Sequence, residues 1–299
     1  MLRPDGVFGP VHLVARGRDV VTATAEDALV VATAELHGEV AYLDGRTLTA
    51  LDAEPGAPGL AGLVGQRLSS GFRAKVDAAV PEHREQESLL YQILDDLPVA
   101  TLISGYVLST VPLPSATPAA THPNENLCAG WRTGGTIMVE IGRSGRPPMV
   151  TGPLAPPVVR TDDELGWHEL PPLPEHGMRR MRRTDIWRRD DGAIAIDSFF
   201  RDSHMSVDGD VTAIREYTVT ASLDPSTTTL VGASARAGAL PWIECPPAAA
   251  SAELTAGVSL REIRAVVRTR LVGTSTCTHL NDQLRSLGGV LGLLPLLPG

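Results

Sequence analysis

The most constraining feature of the sequence is a pattern of residues that occurs twice, 183 positions apart. Residues 9–19 read as an apolar strand that ends in Arg-Asp, and residues 192–202 repeat that pattern. Further downstream, residues 51–55 resemble 243–247, and residues 87–97 resemble 277–287. A unit of about 100 residues that occurs twice predicts two copies of one architecture, and one copy can serve as a control for the other.

Each copy reads as strands followed by helices. In the first copy, Val-, Leu- and Thr-rich runs predict strands at 11–21, 28–35 and 40–51, with a hairpin turn at Asp44-Gly45. Helical spacing of apolar residues predicts one helix from Gly59 to Val80 and another over 84–97, limited by Pro98. In the second copy the strands are predicted at 193–203, 214–223 and 229–243, and the helices at 253–271 and 278–287. The predicted fold class is α+β, with two pseudo-symmetric antiparallel-sheet-plus-helices units.

The repeat also predicts the domain boundaries. Residues 1–110 form the first repeat unit, 111–187 a Pro- and Gly-rich, partly ordered linker, and 188–299 the second unit with the candidate site. One strand is expected within the linker, at residues 136–142. Large apolar residues such as Trp131 and Trp167 argue against a fully disordered linker.

Composition excludes several classes of protein. The formal net charge of −9 argues against general nucleic-acid binding, which needs a basic surface. No apolar stretch reaches the length of a membrane span. Three cysteines do not make a disulfide framework, and the N-terminus lacks the apolar run of a secretion signal. These features favour a cytoplasmic protein with reduced thiols.

The two copies differ in residues that can carry chemistry. His204, Cys245, Cys277 and His279 align with Val21, Ala53, Glu87 and Leu89, so the second copy holds a thiol or an imidazole at four positions where the first has neither. The Arg-Asp dipeptide is present in both copies, as Arg18-Asp19 and Arg201-Asp202, which favours a structural role such as an ion pair.

Two of these residues have a specific predicted role. Cys277 follows Thr274-Ser275-Thr276, which could cap a helix, and a thiol in the first helical turn can have a lowered pKa. The alternative is that Cys277 is a small buried hydrophobic residue. His204 could serve as an acid or base near neutral pH, or it could be an exposed loop residue.

Other candidates lie in the linker and at a strand end. His122, Cys128 and Trp131 precede Gly134-Gly135, and Trp242, Glu244 and Cys245 end a predicted strand; strand ends commonly carry site residues. The basic run at 178–183 could grip an anion or could be a solvated strand. No dinucleotide, P-loop, nucleophile-elbow or zinc-protease motif is present, which argues against the corresponding enzyme classes.

Several segments resemble a bacterial family of unknown function, here DUF2889-like. Its hallmark is a Cys-Pro pair followed by a Cys-Thr-His-Leu block, which are Cys245-Pro246 and residues 277–280 in this sequence. The resemblance covers about residues 180–290 and, less closely, the block 128–131; it implies no reaction. The order of strand, Cys, helix and Cys is also similar to that of iron–sulfur scaffold proteins. That similarity implies Cys245, Cys277, Asp202 and His279 as ligands of a cluster or of zinc, although Thr276 stands where that family has a His.

Three functions follow as hypotheses. The first is an enzyme, a lyase, isomerase or hydrolase, that acts on an apolar ring or carboxylate compound without a nucleotide cofactor. Its catalytic residues would be His204, His279, Cys277, Asp202 and Arg201, and its substrate-binding residues His122, Cys128, Trp131, Trp242 and Glu244. The second is a metal or iron–sulfur scaffold that uses Cys245, Cys277 and His279, and the third is a non-catalytic ligand-binding module. The protein is therefore expected to use either no cofactor or a single metal ion. Its expected partner is a small-molecule substrate, and assembly into a homo-oligomer is left as an alternative to a monomer.

Overall fold

Two antiparallel sheets, each followed by helices, form the molecule. The computed structural model describes residues 1–22, 28–111, 117–118, 120–150, 152–159, 163, 165–206 and 208–297. The sheets contain three and four strands, so the predicted α+β class with two sheet-plus-helices units is confirmed.

The first unit packs a short sheet against three helices. Its strands β1 (Val11–Thr22), β2 (Ala28–Ala41) and β3 (Thr47–Glu54) lie in the order β1-β2-β3. A 3₁₀ segment (Pro58–Leu63), the helices α1 (Phe72–Ala79), α2 (Pro81–Glu85) and α3 (Leu89–Ser104), and a second 3₁₀ segment (Gly105–Thr110) follow. The inward side chains of the sheet and the apolar faces of α1 and α3 bury one core cluster.

The second unit repeats this arrangement with one more strand. Its strands β4 (Met178–Arg188), β5 (Ile194–Met205), β6 (Val211–Asp224) and β7 (Thr229–Ala237) lie in sequence order. A long 3₁₀ segment (Pro246–Thr255), the helices α5 (Ile263–Arg270), α6 (Thr278–Ser286) and α7 (Val290–Leu293), and the 3₁₀ segments Leu287–Gly289 and Leu294–Leu296 complete it. A second core cluster lies between this sheet and these helices.

Corresponding elements of the two units start at nearly constant offsets. The bounds of β5 and β6 lie 183 residues after those of β1 and β2. The register shifts of the two sheets also correspond, at Asp19/Val20 and Asp202/Ser203. The bounds of α5 lie 191 residues after those of α1, and α6 begins 189 residues after α3. The units therefore follow one plan, while descent from a duplication stays a prediction.

Glycines divide the long helices that the sequence predicts. The predicted helix at 59–80 is a 3₁₀ segment and α1, with Gly65 and Gly71 between them at φ +82° and +89°. The predicted helix at 253–271 is divided in the same way, by Gly257 at φ +78°. A positive φ cannot continue a right-handed helix, so the apolar spacing alone was misleading. Conversely, Pro98 does not end α3, which continues to Ser104.

The segment between the units contains a helix where a strand was predicted. Residues 136–142 lie in α4 (Thr136–Ser144), which ends at Gly145 in the left-handed conformation. Its buried residues Ile137, Met138 and Ile141 share one helical face, a spacing that fits a helix better than a strand. Strand β4 begins at Met178, also within the predicted linker, and the predicted strand at 229–243 ends at Ala237.

Ion pairs join the two units. Asp282 on α6 accepts from Arg73 Nη2 on α1 at 2.7 Å and from Arg180 Nη2 on β4 at 2.7 Å. Arg264 of the second unit pairs with Glu87 of the first, and Arg285 pairs with Asp95. No helix in the described part of the chain is long and apolar enough to cross a membrane.

Candidate functional site

The helix-facing side of the second sheet, here called the inner face, carries a row of charged residues. The register places Asp202 on β5 between Arg180 on β4 and Arg215 on β6. Asp202 is fully buried, and its Oδ1 lies 3.6 Å from Arg180 Nη1. In the next row along the strands, Tyr217 pairs with Phe200, and both are fully buried. Burial of a row of charged side chains costs free energy unless the charges are paired or hydrogen-bonded.

Helix α6 places a thiol and an imidazole over this face. Cys277 is the N-cap residue of α6, and His279 lies in its first turn. Cys277 Sγ lies 3.8 Å from His279 Nδ1. Cys277 is buried, whereas His279 is only partly buried. The structure therefore brings together the thiol and the imidazole that the sequence singled out, with the imidazole nearer to solvent.

Both groups are held neutral near neutral pH. Burial raises the pKa of the Cys277 thiol, although the Tyr217 hydroxyl and, to a lesser extent, the backbone amides of Leu280 and His279 pull it downward. Burial, together with the charges of Arg215 and Arg180, lowers the pKa of His279. The lowered thiol pKa expected at this helix start is therefore wrong, because desolvation outweighs the helix terminus. A neutral imidazole beside a neutral thiol can accept the thiol proton.

All three cysteines of the chain converge near one tyrosine. Cys128, Cys245 and Cys277 are each buried and each is the N-cap residue of a helical segment. Burial raises the pKa of the Tyr217 hydroxyl, and the neighbouring Cys277, Cys245 and Cys128 raise it further. Burial and Cys277 raise the pKa of Cys245 to about 12. Tyr217 and the three thiols thus form one buried cluster, here called the thiol cluster.

The segment between the units covers the thiol cluster. The Ala129 amide donates to the carbonyl of Thr276 at 2.9 Å, one residue before Cys277. A Cβ placed on Gly130 would lie 3.2 Å from Cys245 Sγ and 3.1 Å from Trp242 Cδ1, which is tighter than most contacts. Glycine at this position thus allows a close approach that a larger residue would hinder.

The predicted substrate-binding residues lie together in this cover. His122 stacks on Trp131 with ring centroids 4.7 Å apart. Trp131 and Trp242 both pack against α4, and Glu244 Oε1 accepts from the Thr136 amide at 2.7 Å. Their role toward a substrate stays a prediction, but their common position beside Cys128 and Cys245 is a feature of the structure.

The other predicted catalytic residues lie in different surroundings. His204 is buried on β5 and packs edge-on against Tyr106 of the first unit at 4.9 Å, and its Nε2 has no partner among the described residues. Arg201 and Asp202 do not form the pair that the sequence suggested, because adjacent strand residues point to opposite faces. Arg201 instead binds Glu216 and the carbonyl of Pro156.

The structure lends no support to a metal centre. Within the described ranges, no group of three or more His, Cys, Asp or Glu side chains is arranged to hold a metal ion. A metal ion would have to displace the protons of the Cys245 and Cys277 thiols, whose pKa values burial raises.

Sequence reasoning missed Arg215 and Tyr217. A half-against-half comparison, applied to β6, would have found them, since Ala32 and Ala34 of β2 stand at the same offset of 183. It also missed that Arg180 and Arg182 of the basic run are bound by carboxylates, Asp96 and Asp282.

A large cleft opens between the free edges of β1 and β4. Its volume is about 1790 Å³. Apolar residues of α3, β4 and the C-terminal segment line part of it, and Arg180 and Arg182 lie in its wall. Residues 165–174 cross it, and Arg18 Nη2 donates to the carbonyl of Trp167 at 2.5 Å.

Comparison with known proteins places part of the chain in context. A family model described as "Protein of unknown function (DUF2889)" matches residues 178–291. The match begins at the first residue of β4, ends in α7 and covers less than half of the chain. It includes the inner face, Cys245, Cys277 and His279, but not Cys128. No curated protein and no solved structure matches the chain.

Proposed function

We propose that the chain is a small-molecule enzyme in which Cys277 and His279 perform thiol-assisted acid–base chemistry. The observation that carries the proposal is the 3.8 Å approach of Cys277 Sγ to His279 Nδ1 beside the buried Tyr217 hydroxyl, which interacts with the same thiol.

The proposed step is nucleophilic attack by the sulfur. The Cys277 thiol transfers its proton to the neutral His279 imidazole while sulfur forms a bond to an electrophilic substrate carbon, such as a carbonyl carbon. The electron pair of the carbonyl double bond moves to its oxygen. Tyr217 keeps its proton because its pKa is raised, so it can donate a hydrogen bond to that oxygen. This step serves a hydrolase, and it is compatible with a lyase or an isomerase that adds a thiol transiently.

An acyl-transfer probe tests this proposal. We expect p-nitrophenyl acetate to acetylate Cys277, detected by mass spectrometry of the peptide that contains it. Cys277→Ala should abolish the modification, and His279→Ala should slow it by about 10²–10⁴-fold, the usual contribution of a general base. Cys245→Ala is the matched control, since it removes a buried thiol of the same cluster. Equal acetylation rates in the wild type and in His279→Ala would contradict the proposal.

The cleft favours a second candidate, a non-catalytic binding module. Its volume exceeds that of ordinary small-molecule pockets, about 300–1000 Å³, and apolar side chains line part of it. On this view, the apolar fluorescent anion 8-anilinonaphthalene-1-sulfonate binds the cleft, and Met181→Glu weakens binding while Val231→Glu, at an exposed site on β7, does not. Binding without any acetylation of Cys277 would favour the module over the enzyme.

A small-molecule partner and a cytoplasmic location are predictions from the sequence, and so is the alternative of a homo-oligomer. The metal scaffold has no specific observation in its favour.

A further inference from the structure

Arg215 is a partly buried cation with two nitrogen atoms that lack a hydrogen-bond partner. Its Nε and Nη1 are shielded from solvent and have no hydrogen-bond partner, and it forms no ion pair with any described residue. Other arginines of this sheet are paired: Arg180 and Arg182 with Asp282, and Arg201, on the opposite face, with Glu216. Shielded N–H groups without an acceptor cost free energy, and an anion that binds there would offset that cost.

The nearest carboxylate in the sheet makes no hydrogen bond with Arg215. Asp202 stands opposite Arg215 in the register, and its ion-pair contact is with Arg180 on its other side. Burial raises the pKa of Asp202, although the charges of Arg180 and then Arg215 oppose that rise. Asp202 thus lies in the field of both arginines, while Nε and Nη1 of Arg215 keep N–H groups that no described residue accepts.

Arg215 lies within reach of the thiol cluster. Arg215 and Tyr217 point to the same face, and two residues along a strand span roughly 7 Å. The charge of Arg215 lowers the pKa of both His279 and Cys245, so it lies near both. Arg215 and His279 are only partly buried, which leaves an approach from solvent. A molecule held by Arg215 would thus place atoms a few bonds away beside Tyr217 and Cys277.

We propose that Arg215 binds a carboxylate of the substrate and directs the adjacent carbon atoms to Cys277. This inference rests on the proposed function, because it assigns the substrate class of the same site. A guanidinium binds a carboxylate through two parallel hydrogen bonds, which also fixes the orientation of the bound molecule. The first unit has Ala32 at the corresponding position, so the anion site belongs to the second unit alone.

Two alkylating agents of nearly equal size test the inference. Iodoacetate carries a carboxylate and iodoacetamide does not, and both react with a thiol in the same way. The sulfur–carbon bond forms, iodide leaves with the electron pair of the carbon–iodine bond, and the thiol proton passes to His279. The measured quantity is the ratio of the two alkylation rates at Cys277 in the full-length protein, followed by peptide mass spectrometry.

We expect Arg215→Gln to lower the iodoacetate-to-iodoacetamide ratio at Cys277 by about tenfold, which corresponds to about 1.4 kcal/mol. Arg215→Lys should lower it less, since the charge is kept but the paired hydrogen bonds are lost. Arg236→Gln is the matched control: it removes the same charge from an exposed position on β7 of the same sheet. A general change in the exposure of the Cys277 thiol would alter both alkylation rates by the same factor, so it would leave their ratio unchanged.

The outcomes separate this inference from the proposed function. An unchanged ratio in Arg215→Gln overturns the carboxylate site, even if His279→Ala slows both reagents equally and so supports the thiol–imidazole pair. If Cys277 is alkylated at equal rates in His279→Ala and in the wild type, the Cys277–His279 pair is overturned. The effect of Arg215→Gln on the iodoacetate-to-iodoacetamide ratio then still decides whether Arg215 binds a carboxylate. If neither reagent reaches Cys277, the enzyme proposal is overturned. The site is then decided by melting temperature: benzoate, but not benzamide, should raise it in the wild type and not in Arg215→Gln.

Discussion

At the scale of single residues, the two units differ most clearly at one helix start. Ser88 and Cys277 are the N-cap residues of α3 and α6. Ser88 Oγ accepts a hydrogen bond from the Tyr91 amide, whereas the thiol of Cys277 makes no capping bond. The second unit therefore forgoes a stabilising cap at the position where it carries a thiol, which is a pattern expected of functional residues.

This difference predicts the effect of a single-atom exchange. Cys277→Ser should raise the free energy of unfolding by about 1 kcal/mol, the usual value of an N-cap hydrogen bond, while it abolishes acetylation by the ester probe. The reciprocal change, Ser88→Cys, should lower it by about the same amount. Urea denaturation measures both. A strong loss of stability in Cys277→Ser would show that the thiol is there for packing.

His204 predicts a pH dependence of stability. Burial, and to a lesser extent the charge of His176, lowers the pKa of His204 to about 4. An unfolded histidine titrates near pH 6.5, so between these values the unfolded chain binds a proton that the folded chain excludes. The free energy of unfolding should therefore fall as the pH falls from about 6.5 to about 4, by roughly 3 kcal/mol from this residue.

Replacement of the imidazole checks this assignment. His204→Asn should flatten the dependence in urea titrations at about pH 7 and about pH 4.5, because the group that titrates is gone. His37→Asn, at an exposed position on β2, is the control and should leave the slope as it is. A wild-type slope in His204→Asn would mean that other groups govern acid sensitivity.

The sequence identified part of the candidate site at this scale. Cys277 and His279 stood out because the first copy has no thiol or imidazole at the matching positions. Their neutral state could not be predicted, because it depends on burial under a cover from a distant part of the chain. Arg215 and Tyr217 read as ordinary strand residues. Their significance depends on the side chains that the fold places around them, which the strand pattern does not reveal.

At the scale of elements, α6 is held in place by one carboxylate. Asp282 accepts hydrogen bonds from Arg73 on α1 and from Arg180 and Arg182 on β4. These charges hold its pKa below the usual range, so it stays ionised at ordinary pH. The helix that carries Cys277 and His279 is therefore fixed against both units.

Loss of that carboxylate should be costly. Asp282→Asn is expected to lower the free energy of unfolding by about 3 kcal/mol, because three guanidinium groups lose one of the carboxylates that they share. Asp185→Asn removes a half-exposed partner of Arg183 on β4 and should cost less than about 1 kcal/mol. Similar losses in the two variants, measured by urea denaturation, would rule out a special role for Asp282.

Element prediction succeeded where side-chain period and backbone chemistry agreed. β1, β5 and β6 combine β-branched runs with clear turns, and each was predicted within three residues of its observed bounds. β2 continues six residues past the predicted end at Glu35, so the strand predicted at 40–51 is divided between the end of β2 and β3. The long helices were wrong because the apolar spacing continues across Gly65 and Gly257, which leave the helical conformation. In α4, the apolar spacing of residues 137, 138 and 141 indicated a helix, but the flanking glycines suggested loops and a short strand.

At the scale of the whole molecule, the two units share charged groups as well as a small apolar contact of Val7 and Val107 with Met178. Arg264–Glu87, Arg285–Asp95 and Arg182–Asp96 each join a residue of the second unit to one of the first. If one unit unfolded alone, several buried charges of the other would lose their partners.

We therefore expect the full chain to unfold in a single transition. Differential scanning calorimetry should show one peak whose calorimetric and van't Hoff enthalpies agree, as for a single cooperative unit. Arg264→Met, which breaks a pair between the units, should lower the melting temperature of that one peak. Two resolved peaks in the wild type would show that the units are independent despite their ion pairs.

The peptide bond between Cys128 and Ala129 offers a natural reporter of access to the sulfur. Its N–H is tied to the carbonyl of Thr276, directly before Cys277. When the segment around Ala129 moves away from Thr276 and this hydrogen bond breaks, the amide proton can exchange with deuterium. When the hydrogen bond forms again, the proton is protected. The exchange rate of a single amide thus counts the openings through which a reactant could enter.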